Sequence, residues 1–167
     1  MTGTPIAAAS FEQADTLFSA ARQMVSGGPL AAVCEVYDTE ILLKGRPGRM
    51  YRVAAAAGTN DGRRPSFFVA DELHEWVGER KERVHLVLSN GRMKRKDAWE
   101  LSISTAGADI QSLLGRLYKQ GKRIQAGLEP ENGLLFVWYE ADETLDPKDP
   151  EQLRLGIRQA NPAVDEF

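Results

Sequence analysis

The sequence predicts an α/β fold in which a parallel sheet is covered by helices, and three stretches carry that prediction. The first is the unbroken apolar run Phe67-Phe68-Val69-Ala70, entered through Pro65-Ser66 and left through Asp71-Glu72. A half-solvated strand alternates, whereas an unbroken run is what a central parallel strand shows when helices cover both faces of its sheet. The second is an amphipathic helix beginning after Ser10, and the third is a further internal strand over Ala98–Ser104.

The bulk composition sets wide limits. A chain of 167 residues suits one domain, or one domain and the beginning of another, and 43% hydrophobic with 27% charged residues is ordinary globular content. The net charge of −3 gives no global attraction to nucleic acid, so any DNA contact has to come from a local patch. Cys34 is the single cysteine, which rules out an internal disulfide and a cysteine-rich zinc site and fits a reducing, cytosolic setting. No apolar run approaches the roughly 20 residues of a membrane helix, and the N-terminus has no basic region leading into a hydrophobic signal segment.

In chain order, Ile6–Ala9 is a short apolar run followed by Ser10, with Gln13 at capping-box spacing. Phe11, Ala14, Leu17, Phe18, Ala21, Met24 and Val25 then recur at helical steps as one core-facing stripe, until Gly27-Gly28-Pro29 stops the helix. Ala32–Tyr37, Glu40–Leu43 and Met50–Val53 read as short strands separated by turns at Asp38-Thr39 and Gly45–Gly48. Arg46, Arg49 and Arg52 either line a phosphate-binding surface or protect strand edges. A glycine-rich polar loop, Gly58–Pro65, delivers the chain into the strand that ends at Asp71.

After Glu72 a helix or pair of helical turns is expected to run to Leu88, with Asn90-Gly91 as its stop. Arg92, Lys94, Arg95 and Lys96 then concentrate positive charge in an acidic chain. They are the local candidate for contact with a DNA backbone, a solvated basic loop being the alternative. The strand over Ala98–Ser104 leads into Ser104-Thr105-Ala106-Gly107. That tetrapeptide allows close backbone approach and hydroxyl contacts to a ligand, or makes an ordinary turn into a helix capped by Asp109. Leu134–Tyr139 reads as another strand, Glu140–Pro150 as an acidic surface connection, and Glu151–Arg158 as a short helix.

The chemistry concentrates at Asp71 and Glu72. In an open parallel sheet, ligands bind outside the carboxyl ends of the strands, which is where both acids fall. An apolar strand ending in two acids is the Walker B pattern: the first acid holds Mg²⁺ and the second orients or deprotonates the water that attacks a γ-phosphate. An acidic first turn of a helix gives the same letters.

Several separated segments together resemble the large subunit of a tailed-phage terminase, the ATPase and nuclease that packages viral DNA. The likeness lies in Ala8-Ala9-Ser10 with Gln13-Ala14, in Asp71-Glu72-Leu73-His74 after a Pro-Ser-Phe strand, and in Ser104-Thr105-Ala106-Gly107. It continues in Trp138-Tyr139-Glu140-Ala141 and in Ala160-Asn161-Pro162. The resemblance implies a P-loop NTPase-like, mainly parallel sheet with flanking helices, lacking the phosphate-loop strand and helix. It implies Asp71 as the magnesium acid, Glu72 as the catalytic carboxylate, and Ser104, Thr105 and Gly107 in a nucleotide-sensing coupling motif. It further implies ATP and Mg²⁺ as ligands of the complete motor, with double-stranded DNA, a portal protein and a small terminase subunit as partners. The subunits of that motor form a homo-oligomeric ring, without membrane, in the cytoplasm of the infected or lysogenic bacterial host.

The sequence departs from the family pattern in having no G-x-x-x-x-G-K-[ST] segment. The expectation is therefore an internal portion of such a subunit, truncated or one piece of a split gene. Residues 1–140 would be partial ATPase domain and 141–167 a linker toward a nuclease domain. Such a chain alone is expected to hydrolyse little ATP and to expose apolar surface. Two alternatives stand beside this: a non-catalytic DNA-binding or oligomerisation remnant, and a helicase-like ATPase fragment, since Asp-Glu-x-His also occurs in strand-separating motors.

Overall fold

A computed structural model describes residues 2–55, 65–93 and 96–164. The chain divides into two units, Met1–Gln120 and Gly121–Phe167. The first holds a six-stranded mixed sheet in the order β2-β3-β4-β1-β5-β6. Its strands are β1 (Thr2–Ala8), β2 (Cys34–Val36), β3 (Glu40–Leu43), β4 (Gly48–Ala54), β5 (Phe67–Ala70) and β6 (Trp99–Ser102). The ladders joining β4, β1, β5 and β6 are parallel, while β2, β3 and β4 are joined antiparallel. The carboxyl ends of the four parallel strands therefore share one edge of the sheet.

The strand ending at Asp71 is central, as the apolar run predicts: Phe68, Val69 and Ala70 are buried, with β1 on one side and β6 on the other. β1 starts earlier than its apolar run suggests. It begins before Pro5, a fully buried proline inside a central strand, where the missing N–H normally argues against one.

Helix α1 (Phe11–Gly27) starts with the expected capping box. Ser10 Oγ accepts from Gln13 N–H at 3.2 Å, and Gln13 Oε1 accepts from Ser10 N–H at 3.0 Å. Its inward stripe is narrower than the sequence suggests. Ala14, Phe18 and Val25 are buried, and Phe18 and Val25 pack with Ile6 and Ile41, whereas Met24 is 75% exposed. Phe11 is half-exposed and carries the Arg52 guanidinium, 4.6 Å from its ring centroid, so Arg52 is engaged by an aromatic face and by Asp15.

The segment after Glu72 differs from the expected continuous helix. A 3-10 turn, Leu73–Glu75, precedes Gly78, whose φ of 95° breaks the path, and α2 runs from Glu79 to Arg92. Asn90-Gly91 does not stop it. Val84, His85, Leu88 and Gly91 are all buried, so Gly91 belongs to the inward face of the helix. At the end of the sheet, β6 is tied to α2 through Glu100. Its carboxylate meets His85 Nε2 at 3.0 Å and accepts from Ser89 Oγ at 2.8 Å. The apolar residues of this strand are less covered: Trp99 is 56% exposed although it stacks on Phe67. Helix α3 (Leu113–Gln125) is capped by Ser112, whose Oγ accepts from Gly115 N–H at 3.2 Å. Asp109, the expected cap, instead closes the preceding turn onto Gln111 N–H.

In the second unit the expected strand over Leu134–Tyr139 is not paired into a sheet. Alternate residues still face opposite ways. Leu134, Phe136 and Trp138 are half-buried and Leu135 is 88% exposed, so the apolar alternation reflects one covered side without a neighbouring strand among the described residues. Phe136 packs onto Gly121, where any Cβ would collide with its ring. Helix α4 (Pro150–Ala160) is N-capped by Asp149, with proline at the start of its first turn.

Candidate functional site

The parallel register of β5 and β6 assembles the site. Ala70 pairs with Ser102, and the ladder continues past both strands through Ile103 N–H to Ala70 O at 3.0 Å and Leu73 N–H to Ile103 O at 3.3 Å. Residues just beyond each strand are thereby brought side by side, which sets Asp71-Glu72 against Ser104-Thr105. Asp71 is anchored by its own N–H to Ala7 O at 2.8 Å and by Trp76, whose indole N–H donates to Asp71 O at 2.9 Å. Trp76 is fully buried, so the turn carrying the acids is fastened to the core.

The two acids diverge through an unusual backbone. Glu72 lies in the left-handed region at φ 48°, ψ 56°, a conformation that costs a non-glycine residue on the order of 1–3 kcal/mol. Asp71 Oδ1 accepts from Glu72 N–H at 3.0 Å. Partial burial raises the Asp71 pKa above the ordinary aspartate value; the hydrogen bond from Glu72 N–H opposes that shift and the Glu72 charge adds to it. Among the described residues no lysine or arginine forms an ion pair with Asp71.

Glu72 folds back toward the end of β6. Its Oε2 lies 3.0 Å from His74 Nδ1, 3.4 Å from Thr105 Oγ1 and 3.5 Å from Thr105 N. Ser104 Oγ accepts from His74 N–H at 3.0 Å, and Gly107 sits so close that an added Cβ would stand 3.1 Å from His74 Cβ. Glu72, Ser104, Thr105 and Gly107, singled out from the sequence, thus lie together around His74, with Asp71 joined to Glu72 at the end of β5.

The basic candidates are placed differently. Arg92 ends α2, and its Nε lies 3.5 Å from Glu100 Oε2, so part of its charge is used within the fold. Lys96 is exposed in a turn before β6, while Lys94 and Arg95 lie outside the described residues, as does most of the loop over 58–65. The sequence reading did not single out Trp76, Glu75 or the His85–Glu100 pair. Trp76 had a signal, a large aromatic just past the strand; for His85 and Glu100, 15 residues apart, there was none.

A mononuclear Mg²⁺ needs no cage of protein ligands. It keeps several waters and takes one or two carboxylates plus substrate phosphates. Asp71, at a strand's carboxyl end without a cationic partner, fits that donor set; among the described residues no cluster of three or more histidine, cysteine or acidic side chains suggests another kind of metal centre.

A sequence model of the terminase large subunit, ATPase domain, matches residues 3–123, a span that contains every member of this cluster. Comparison with curated proteins gives no match. Among solved structures, the crystal structure of the HK97 bacteriophage large terminase superposes with a TM-score of 0.78 at 21% identity over 99% of this chain. The chain spans 33% of that protein's length, and the likeness identifies the fold as P-loop NTPase-like. With the family model covering most of the sequence, the chain belongs to the terminase large subunit ATPase-domain family.

Proposed function

We propose that this chain supplies the metal-binding and water-activating half of an ATP site in a motor that packages double-stranded DNA. The observation that carries the proposal is the Asp71–Glu72 pair at the carboxyl end of a central parallel strand, with Thr105 reaching Glu72 from the neighbouring strand. Asp71 would hold Mg²⁺, which would supply charge neutralisation at the phosphates. Glu72 orients a water in line with the γ-phosphate and accepts its proton as the water attacks. Ser104, Thr105 and Gly107 form the turn that senses the state of the phosphate, because any shift of Thr105 is felt directly at the Glu72 carboxylate. Arg92, Lys94, Arg95 and Lys96 contribute contacts to the DNA backbone.

The lysine and backbone amides that cradle a triphosphate belong to a G-x-x-x-x-G-K-[ST] loop, and this sequence contains none. The working motor therefore draws that loop from polypeptide beyond these 167 residues. It works as a ring with portal protein and small subunit in the host cytoplasm; among the described residues no helix is long and apolar enough to cross a membrane.

The test is phosphate release from Mg²⁺-ATP by the chain alone and by the chain joined to the sequence encoded directly upstream of it. Little turnover is expected from the first. Hydrolysis is expected from the second, falling about a thousandfold in Glu72→Gln. Robust turnover by the chain alone, abolished by Glu72→Gln, overturns the division of the site. No turnover in either form favours a non-catalytic remnant that keeps the motor fold.

A further inference from the structure

We infer that His74 is a positioning residue that holds the Glu72 carboxylate through an N–H on Nδ1. The inference rests on the reading of Glu72 as the water-activating group and adds a residue to which the motif pattern assigns no task.

The proton on Nδ1 follows from counting donors. The Ser104 hydroxyl has one proton, and it goes to Thr105 O at 2.8 Å, so toward Nδ1, 3.2 Å away, Ser104 Oγ is an acceptor. The Thr105 hydroxyl directs its proton to Glu72 Oε2 and turns lone pairs toward Nδ1 at 3.4 Å. Glu72 Oε2 itself, an acceptor, is the nearest of the three at 3.0 Å. Three acceptors converge on one nitrogen, and the arrangement is satisfied only if that nitrogen carries hydrogen. The other ring nitrogen, Nε2, lies 3.1 Å from Glu75 Oε1. A neutral imidazole has a single N–H and can serve only one of the two carboxylates. Glu75 is 51% exposed and open to solvent, and Glu72 has Ser104 and Thr105 converging on the same nitrogen, so Glu72 keeps the bond.

The ring is held for this task from the other strand. A histidine on a helix surface usually finds its partners within its own turn. Besides Glu72 and Glu75 in its own turn, His74 is fixed by residues 30 and 31 positions away: Ser104 at its backbone N–H and ring, and Thr105 at the ring. Its side chain is 24% exposed, and Gly107 leaves no room behind its Cβ for any larger residue without displacement. The turn after β6 therefore sets His74, and His74 with Thr105 sets one oxygen of Glu72. The second carboxylate oxygen takes no hydrogen bond among the described residues and remains to meet the water.

The sequence has two histidines, which makes a spectroscopic test direct. In the 167-residue chain with ¹⁵N-labelled imidazoles, at a pH where the rings are neutral, one histidine should show the Nδ1–H pattern. Its signals should vanish in His74→Asn, and in Glu72→Ala they should move to the Nε2–H form common in water while the second histidine is unchanged. An Nε2–H His74 in the wild type, or one indifferent to Glu72→Ala, overturns the inference.

Catalysis supplies the other readout, in the hydrolysis-competent joined protein. His74→Asn places an amide N–H near the position of Nδ1 and should keep kcat within about threefold. His74→Gln reaches the position of Nε2 instead and should lose about a hundredfold in kcat at unchanged KM, the cost of a misplaced catalytic group. Equal losses in the two variants overturn the positioning role and leave the ATPase reading standing. A wild type that does not turn over sinks the ATPase reading and the catalytic consequence with it, while the spectrum still decides whether the imidazole holds Glu72.

Discussion

Replacing Glu100 should destabilise the first unit more than its position on a partly exposed end strand suggests. The carboxylate meets His85 Nε2 at 3.0 Å, accepts from Ser89 Oγ at 2.8 Å and from Ser102 Oγ at 3.3 Å, and lies 3.5 Å from Arg92 Nε. His85 is 9% exposed and packs edge-on to Phe68 and Trp76, so water cannot replace the lost acceptor at its ring. Glu100→Ala leaves buried His85 and half-buried Ser89 without this acceptor, and an unsatisfied buried donor costs about 1–3 kcal/mol. The expected loss is about 3 kcal/mol, at the lower end of what breaking a buried ionic cluster costs. Glu100→Gln keeps one acceptor oxygen and should lose about half of that.

Urea unfolding followed by tryptophan fluorescence measures both variants, with m unchanged if only stability has altered. The pH dependence gives an independent check. Burial alone would push the Glu100 pKa up, but the His85 hydrogen bond and charge, helped by Ser89 and Arg92, outweigh burial and hold it below the ordinary glutamate value. A depressed folded pKa contributes stability that is present above the unfolded value, about 4.3, and lost as pH falls through the folded one. The gap between wild type and Glu100→Gln should accordingly narrow on the acid side of pH 4.3. A loss under about 1 kcal/mol for Glu100→Ala, or a gap that is flat with pH, would show that solvent already satisfies the cluster.

Asp71 should behave in the opposite sense: its pKa is raised, mainly by burial, so its ionisation disfavours the folded state as pH rises through the folded value. Asp71→Asn is expected to raise the unfolding midpoint at neutral pH while weakening Mg²⁺-ATP binding in the hydrolysis-competent protein; a midpoint that falls refutes the account of its environment. Ser10→Ala removes the side-chain half of the capping box on α1 and should cost about 1 kcal/mol in the same unfolding assay, with no change in m. A cost near zero would mean that water caps the helix equally well. Glu72→Gly relieves the left-handed backbone and should stabilise the fold by about 1 kcal/mol or more while abolishing hydrolysis, and a destabilised variant would refute the strain at this position.

The parts of the fold that were legible in the sequence are those decided locally. Ser10 and Gln13 close a capping box across three residues, and Phe67–Ala70 announces burial on both faces by failing to alternate. The misreadings came where a local signal served a distant partner. Gly91 resembled a helix stop because glycine commonly ends helices, yet it is on the inward face of α2. Leu134–Tyr139 has the composition of a strand, but a strand needs another strand to pair with, and among the described residues no strand ladder includes it. β1 runs on either side of Pro5, beyond the apolar run that starts at Ile6, because β4 and β5 complete it from both sides.

The candidate site divides along the same line. The position of Asp71 and Glu72 was legible because the unbroken apolar run marks where the strand ends, although an acidic helix start gives the same letters. That Thr105 reaches Glu72 was not legible from spacing, since 33 residues separate them and the approach depends on parallel pairing of β5 with β6. The left-handed backbone of Glu72 was hidden for a different reason, because that conformation is read from glycine and asparagine and is seldom assigned to glutamate. Yet this backbone sets where the Glu72 carboxylate goes. Were Glu72 extended, the strand would simply continue and its carboxylate would point to the opposite face from Asp71. The turn at Glu72 instead returns the carboxylate toward His74 and Thr105, so the end of β6 holds Glu72 while Asp71 stays at the end of β5 with no ion-pair partner among the described residues.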